Sequence, residues 1–286
     1  REALAAARRS LVAFSTLILV LVTALVAGVV ALAIALVKMS RGTFVWAYRP
    51  AAPGGSVYLE TFALFLAAFL ILSPLAALAA PLLGRGVSLA LWLILPLAAW
   101  PRLRGCSAAS WRRALGWTRG RSVLREIAAG LVGYCATIPI LVLGVATTVL
   151  LLLLRSALFP SASERAAHSP SVHPLIQAAE GASPGLILLF LSLTSLWAPL
   201  VEETFFRGAY LHHLRSNGKG PILSALITGF VFAALHPTGL LTIPPLMALG
   251  FSFAMLRQWR GSIIANATAH SLHNTLVLGT VLWALS

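Results

Sequence analysis

The sequence is poor in charged residues, and acidic residues are the scarcest. Only 10% of its 286 residues are charged and seven are Asp or Glu, whereas soluble domains carry about 25% charged residues. Hydrophobic residues make up 59% of the chain, and the mean hydropathy is +0.92. This composition excludes an ordinary soluble domain and predicts a polytopic integral membrane protein.

Cysteine is also scarce. The two cysteines, Cys106 and Cys135, lie in a basic loop and in an apolar run. They are too few and too differently placed for a disulfide framework, so we expect free thiols. Because the sequence starts at Arg1 rather than Met, we expect a further segment to precede it.

The net charge of +14 comes from basic residues that lie mainly in short loops between apolar runs. With the N-terminus outside, residues 38–60, 101–126, 207–219 and 257–261 hold 15 of the 21 Lys and Arg residues. Cytoplasmic loops carry this excess, so we expect these four on the cytoplasmic side. The expected partner of the basic residues is therefore the lipid bilayer, and no nucleic acid is expected.

Apolar runs long enough to cross about 30 Å of hydrocarbon recur along the chain. They predict an all-α protein with about eight transmembrane helices, in which Pro and Gly residues mark several ends. The predicted spans are residues 11–37, 61–83, 87–100, 127–154, 184–214, 221–236, 240–256 and 262–285.

Several ionisable or amide side chains interrupt the apolar runs of the C-terminal third. A charge at membrane depth costs about 2.5–3.5 kcal/mol on insertion scales, so such groups normally face a bundle interior and mark a functional site. These candidate site residues are Glu202, Glu203, Arg207, His236, His270 and Asn274.

Helical spacing separates the two adjacent carboxylates. Glu203 and Arg207 are four residues apart and can form an ion pair, whereas Glu202 is rotated by about 100° on the helix. Pro199 removes a backbone donor upstream of Glu203 and is expected to kink the helix. The spacing therefore predicts one neutralised carboxylate and one that is available for chemistry.

Three ordered motifs on successive helices carry a family resemblance. Residues 202–207 match EExxxR, residues 232–236 match FxxxH, and residues 270–274 match HxxxN. The chain resembles the CPBP intramembrane proteases, also called the Abi family, which includes CAAX prenyl endopeptidases and bacteriocin-processing enzymes. The resemblance covers about 184–285.

The resemblance implies roles for the motif residues. Glu202 and His236 would activate a water for attack on a peptide bond, and His270 and Asn274 would stabilise the oxyanion. Elementary chemistry is consistent with these roles, because a poorly solvated carboxylate suits a general base and amide or imidazole N–H groups suit an oxyanion site. Glu203 and Arg207 would form a structural pair.

The expected organisation and activity follow from this family. Residues 1–60 would form an N-terminal transmembrane helix with a polar connector, residues 61–183 accessory helices and loops, and residues 184–286 a four-helix catalytic core. The expected function is an intramembrane endopeptidase that hydrolyses membrane-associated proteins or peptides. The Ala, Leu and Arg-rich composition favours a bacterial cytoplasmic membrane.

Other interpretations of the same residues stay open. Glu202, His236 and His270 could form a His₂Glu zinc site, although no cofactor is the preferred expectation. The buried polar groups could also hold helices together in a non-proteolytic scaffold or immunity protein of the same fold. A proton-coupled transporter is a further alternative, although no internal repeat is evident in the sequence.

Overall fold

A computed structural model describes residues 2–50, 55–159, 183–236 and 239–284, and every regular element within these ranges is helical. The all-α class is therefore confirmed. The longer elements are α1 Glu2–Ser40, α2 Val57–Leu83, a 3₁₀ helix Arg85–Ala99, α3 Trp100–Leu103, α4 Ala108–Leu115, α5 Val123–Leu158, α6 Pro184–Ser216, α7 Pro221–Ala234, α8 Ile243–Arg260 and α9 Ile264–Ala284.

Six of the described helices are long and apolar enough to cross a membrane. Helix α7, with 14 residues, is shorter than the usual transmembrane length. The membrane class is thus confirmed, whereas the total of eight spans stays a prediction. Both cysteines are free thiols, as expected.

The short run predicted at residues 87–100 adopts a 3₁₀ helix of 15 residues, Arg85–Ala99. A 3₁₀ helix rises about 2.0 Å per residue, so 15 residues reach about 30 Å. This is close to the hydrocarbon thickness, which an α-helix of the same length would not cover. The tighter helix therefore explains how so short a segment matches the bilayer.

Helix α6 carries the first motif and departs from α-helical geometry twice. Wider π-helical turns occupy Ser192–Trp197 and Glu203–Tyr210, on either side of the α-helical segment Ala198–Glu202. Pro199 lies at the start of that segment and has no N–H to donate. The first π turn ends two residues before Pro199, and π turns of this kind often occur at functional sites.

Two kinds of packing hold the bundle around α6. Aromatic residues of α2 stack on α6, with ring centroids of Phe65 and Phe205 4.6 Å apart. Helices α7 and α8 cross closely at Gly229 and Gly250, where a Cβ on Gly229 would lie 2.7 Å from the backbone N of Phe251. Glycine is required here because the backbones nearly touch.

The four basic loops meet at one end of the bundle. The backbone N–H of Tyr48 donates to the carbonyl of Gln258, and Arg257 Nη2 donates to the carbonyl of Ala114 at 3.0 Å. The Tyr48 hydroxyl is also hydrogen-bonded to Nδ1 of His212. Burial raises the pKa of the Tyr48 phenol, so this residue stays neutral at physiological pH.

Candidate active site

A buried ion pair forms the innermost part of the site. Arg207 Nη1 donates to Glu203 Oε1 at 3.1 Å, and both side chains are fully buried. The same carboxylate oxygen lies 2.9 Å from Nδ1 of His270 on α9. Glu203 thus links α6 to α9 while its charge is balanced by Arg207.

Arg207 also connects α6 to α8 through a hydrogen bond and an aromatic contact. Its Nη2 donates to the carbonyl of Gly250 at 3.2 Å, and its guanidinium lies 4.6 Å from the ring centroid of Phe232. A second ring, Phe253 of α8, lies 5.5 Å from the guanidinium. These cation–π contacts and the hydrogen bond to the carbonyl compensate for the hydration that the guanidinium loses on burial.

Glu202 has a different environment from its neighbour. Its side chain is 16% exposed, and its Oε2 lies 3.9 Å from Nε2 of His270. This distance is longer than a hydrogen bond, and Oε2 has no hydrogen-bond partner among the described residues. A buried carboxylate oxygen without a partner is costly, so this atom is suited to a water or a substrate group.

His236 presents one ring nitrogen to the site. Its Nδ1 lies 2.7 Å from the carbonyl oxygen of Phe232, one helical turn earlier. A carbonyl only accepts, so Nδ1 carries the proton, and Nε2 of the neutral ring is then an acceptor. His236 is therefore oriented as a base rather than as a donor through Nε2.

Glu202 and His236 line one apolar cavity of about 160 Å³. The other walls are aromatic and aliphatic, and they come from α2, α6 and α7: Phe65, Leu66, Phe69, Trp197, Phe206, Phe232 and Leu235. The first and second motifs thus meet at a space where a reacting group fits beside two titratable side chains.

The third motif lies next to this cavity rather than on its walls. Asn274 Nδ2 donates to the carbonyl of Thr194 at 2.7 Å, and Thr275 Oγ1 donates to Ser195 Oγ at 2.9 Å. These bonds tie α9 to the first π turn of α6. One N–H of the Asn274 amide is thereby engaged in a contact between helices.

The suggested zinc ligands do not form a metal site in this arrangement. His270 directs Nδ1 towards Glu203, and its Nε2 is 3.9 Å from Glu202. Over the described ranges, no group of three His, Cys, Asp or Glu residues is arranged to hold a metal ion. Glu202, His236 and His270 are therefore not grouped as three metal ligands in this arrangement.

Sequence reasoning missed contacts that come from outside the C-terminal third. Trp117, in the basic loop after α4, donates its indole N–H to Thr204 Oγ1 at 3.0 Å, directly beside Glu203. Helix α2 supplies three of the residues that line the cavity. Its aromatic residues recur at helical spacing, at 58, 62, 65 and 69. That pattern was the sequence signal that one face of α2 packs against another helix.

Comparison with known proteins identifies the class to which this site belongs. Residues 184–276 match the model of a protease family described as type II CAAX prenyl endopeptidase Rce1-like. The predicted resemblance to the CPBP intramembrane proteases is therefore confirmed over that segment.

One similar protein has a limited overlap with this chain. An uncharacterized 24.3 kDa protein of Escherichia coli is 36% identical over 103 residues, which are 35% of this chain. The match covers 47% of that protein, so the chain spans about half the length of the curated relative. No solved structure matches the chain.

Proposed function

We propose that the protein is a metal-independent intramembrane endopeptidase that hydrolyses a peptide bond of a membrane-associated protein or peptide. The observation that carries this proposal is the shared cavity of Glu202 and His236. It combines a carboxylate oxygen without a partner and an imidazole with Nε2 as acceptor. The protease family of residues 184–276 supports the same reaction class.

The reaction begins with a water held by Glu202 and His236. One of these bases takes a proton from the water while the water oxygen bonds to the carbonyl carbon of the substrate peptide bond. The carbonyl oxygen thereby becomes an oxyanion. The protonated base gives its proton to the leaving nitrogen as the tetrahedral intermediate collapses and the C–N bond breaks. This transfer returns the base to its starting protonation state.

His270 and Asn274 are the proposed donors to the oxyanion. For His270 this role needs a doubly protonated ring, because its Nδ1 proton is directed at Glu203 Oε1, 2.9 Å away. Loss of one oxyanion donor costs about 10²–10³ in kcat where it has been measured, and we expect this range for His270→Ala and Asn274→Ala.

Cleavage of a membrane-peptide library by the purified protein in proteoliposomes tests the proposal. Wild type should cleave members of the library, whereas Glu202→Gln and His236→Ala should not, although both should remain folded. Glu60→Gln is the matched control, because it removes a carboxylate from α2 outside the site and should keep wild-type turnover. Near wild-type cleavage by Glu202→Gln would refute the proposed base.

Chelation tests metal independence separately. Activity should persist after dialysis against EDTA and 1,10-phenanthroline, because the site residues do not converge as metal ligands. Loss of cleavage on chelation, followed by recovery with zinc, would contradict this part of the proposal and favour a metalloprotease.

A further inference from the structure

The cavity beside Glu202 and His236 has walls from two different parts of the chain. Trp197, Phe206 and Phe232 lie in the segment that matches the protease family. The opposite wall comes from α2, which lies outside that segment, through Phe65, Leu66 and Phe69. The shape of the space next to the reacting groups therefore depends on a helix that the family motifs do not describe.

Apart from the two titratable groups, the walls present carbon atoms. The polar atom of Trp197 is already satisfied, because its indole N–H donates to the carbonyl of Leu91 at 2.9 Å. Its ring is free to pack and lies 6.4 Å from that of Phe69, centroid to centroid. Away from Glu202 and His236, such a surface favours an apolar group and offers no partner to a charged or amide side chain.

The volume limits the size of that apolar group. The cavity measures about 160 Å³. An engineered apolar cavity of about 150 Å³ in another protein binds benzene, so this space accommodates one aliphatic or single-ring side chain. A larger double-ring side chain such as Trp would not fit between the aromatic walls without displacing them.

We propose that this cavity is the specificity subsite for one apolar side chain, of the size of Leu or Phe, in the substrate polypeptide next to the scissile bond. Leu66 and Phe69 of α2 set its size. The inference rests on the proposed endopeptidase function, because it needs Glu202 and His236 to mark the position of the reacting bond.

The three α2 residues differ in what else they support. Phe65 is buried and stacks on Phe205 at 4.6 Å, so it belongs to the core. Leu66 and Phe69 are half-buried at the edge of that core. Their replacement therefore changes the cavity with less damage to packing. Leu70 follows on the same helix but is 60% exposed, which makes it the matched control.

A kinetic experiment tests the assignment. One peptide that wild type cleaves and Glu202→Gln does not is resynthesised with Ala, Leu, Phe or Trp at each residue flanking the bond. At one position, kcat/KM should favour Leu and Phe over the others by about 10–100-fold. Phe69→Ala should shift this preference towards Trp, Leu66→Phe should shift it towards Ala, and Leu70→Ala should keep the wild-type ranking.

An unchanged ranking in both α2 variants would overturn the proposal. So would a wild-type enzyme that cleaves the Trp peptide as fast as the Leu peptide. If the α2 variants do not fold, a cross-linking experiment tests the subsite in a protein whose α2 helix is unchanged. The Glu202→Gln protein is irradiated with library peptides that carry a diazirine analogue of leucine, and the cross-linked residues are mapped by mass spectrometry.

Cross-links should fall on Leu66, Phe69 or Trp197. Cross-links confined to exposed positions such as Leu70 would overturn the subsite. Because this measurement needs no turnover, it separates the two proposals. Cross-linking in the cavity without cleavage by wild type would refute the endopeptidase and leave the cavity as a binding site for an apolar peptide side chain.

Discussion

Breaking the Glu203–Arg207 pair from one side should destabilise the bundle strongly. Arg207→Ala leaves Glu203 fully buried, with His270 as its one remaining hydrogen-bond partner among the described residues. The variant also releases the carbonyl of Gly250, to which Arg207 Nη2 donates. Helix α6 would then lose its polar link to α8.

The size of the effect follows from the burial of both partners. Removal of one member of a buried pair typically costs about 3–5 kcal/mol, since an uncompensated charge stays behind. A loss of 1 kcal/mol lowers Tm by about 2–4 °C in domains of 150–250 residues. We therefore expect Arg207→Ala to lower Tm on the order of 10 °C, and Glu203→Gln to act in the same direction.

Thermal unfolding in one fixed detergent provides the assay, and the chain offers a control pair. Arg104 Nη1 lies 3.2 Å from Glu60 Oε2, but their side chains are 49% and 30% exposed. Exposed pairs contribute little to stability, so Arg104→Ala should leave Tm nearly unchanged. Equal Tm values for Arg104→Ala and Arg207→Ala would refute the argument from burial.

A paired replacement separates charge from packing. The double variant Glu203→Met with Arg207→Leu removes both charges and keeps apolar volume, so it should recover much of the Tm lost in Arg207→Ala. Activity should not recover with it, because His270 loses the carboxylate that orients its ring. Recovery of both would show that the pair has no part in positioning His270.

Three further outcomes are expected. Gly229→Ala should lower Tm, because the added Cβ would meet backbone atoms at 2.7 Å, whereas Gly279→Ala has nothing within 4 Å and should not. His270→Ala should lower both Tm and activity, since its ring contacts both carboxylates. In a protein without its native cysteines, a Cys introduced at Leu240 should react with an impermeant maleimide in intact cells. A Cys introduced at Ser110 should react only after lysis. The reverse pattern of labelling would contradict the predicted orientation in the membrane.

The sequence was sufficient for the class of fold because lipid imposes simple rules. Long apolar runs must be helical, and their limits follow from charge, Pro and Gly. What it did not predict was the type of helix. The segment Arg85–Ala99 has the composition of a short α-helix but adopts the longer rise of a 3₁₀ helix. The two π turns of α6 depend on its tertiary partners as well as on Pro199.

Only the relations between site residues on the same helix could be predicted from the sequence. Spacing within one helix is local, so the relation between Glu203 and Arg207 could be read from four residues of sequence. Contacts between helices are not local. The bond from Trp117 to Thr204 and the α2 wall of the cavity join residues far apart in the chain, and no spacing rule connects them.

The adjacency of Glu202 and Glu203 gives one helix two functions at the same depth. A rotation of about 100° turns one carboxylate towards Arg207 and α8 and the other towards the cavity. The first is fully buried and ion-paired, and the second is 16% exposed and lines the cavity. A carboxylate that acts as the proposed base needs a fixed position, and the neighbouring buried pair holds α6 against α8 and α9. We therefore expect the stability of the bundle and the position of the proposed base to depend on consecutive residues.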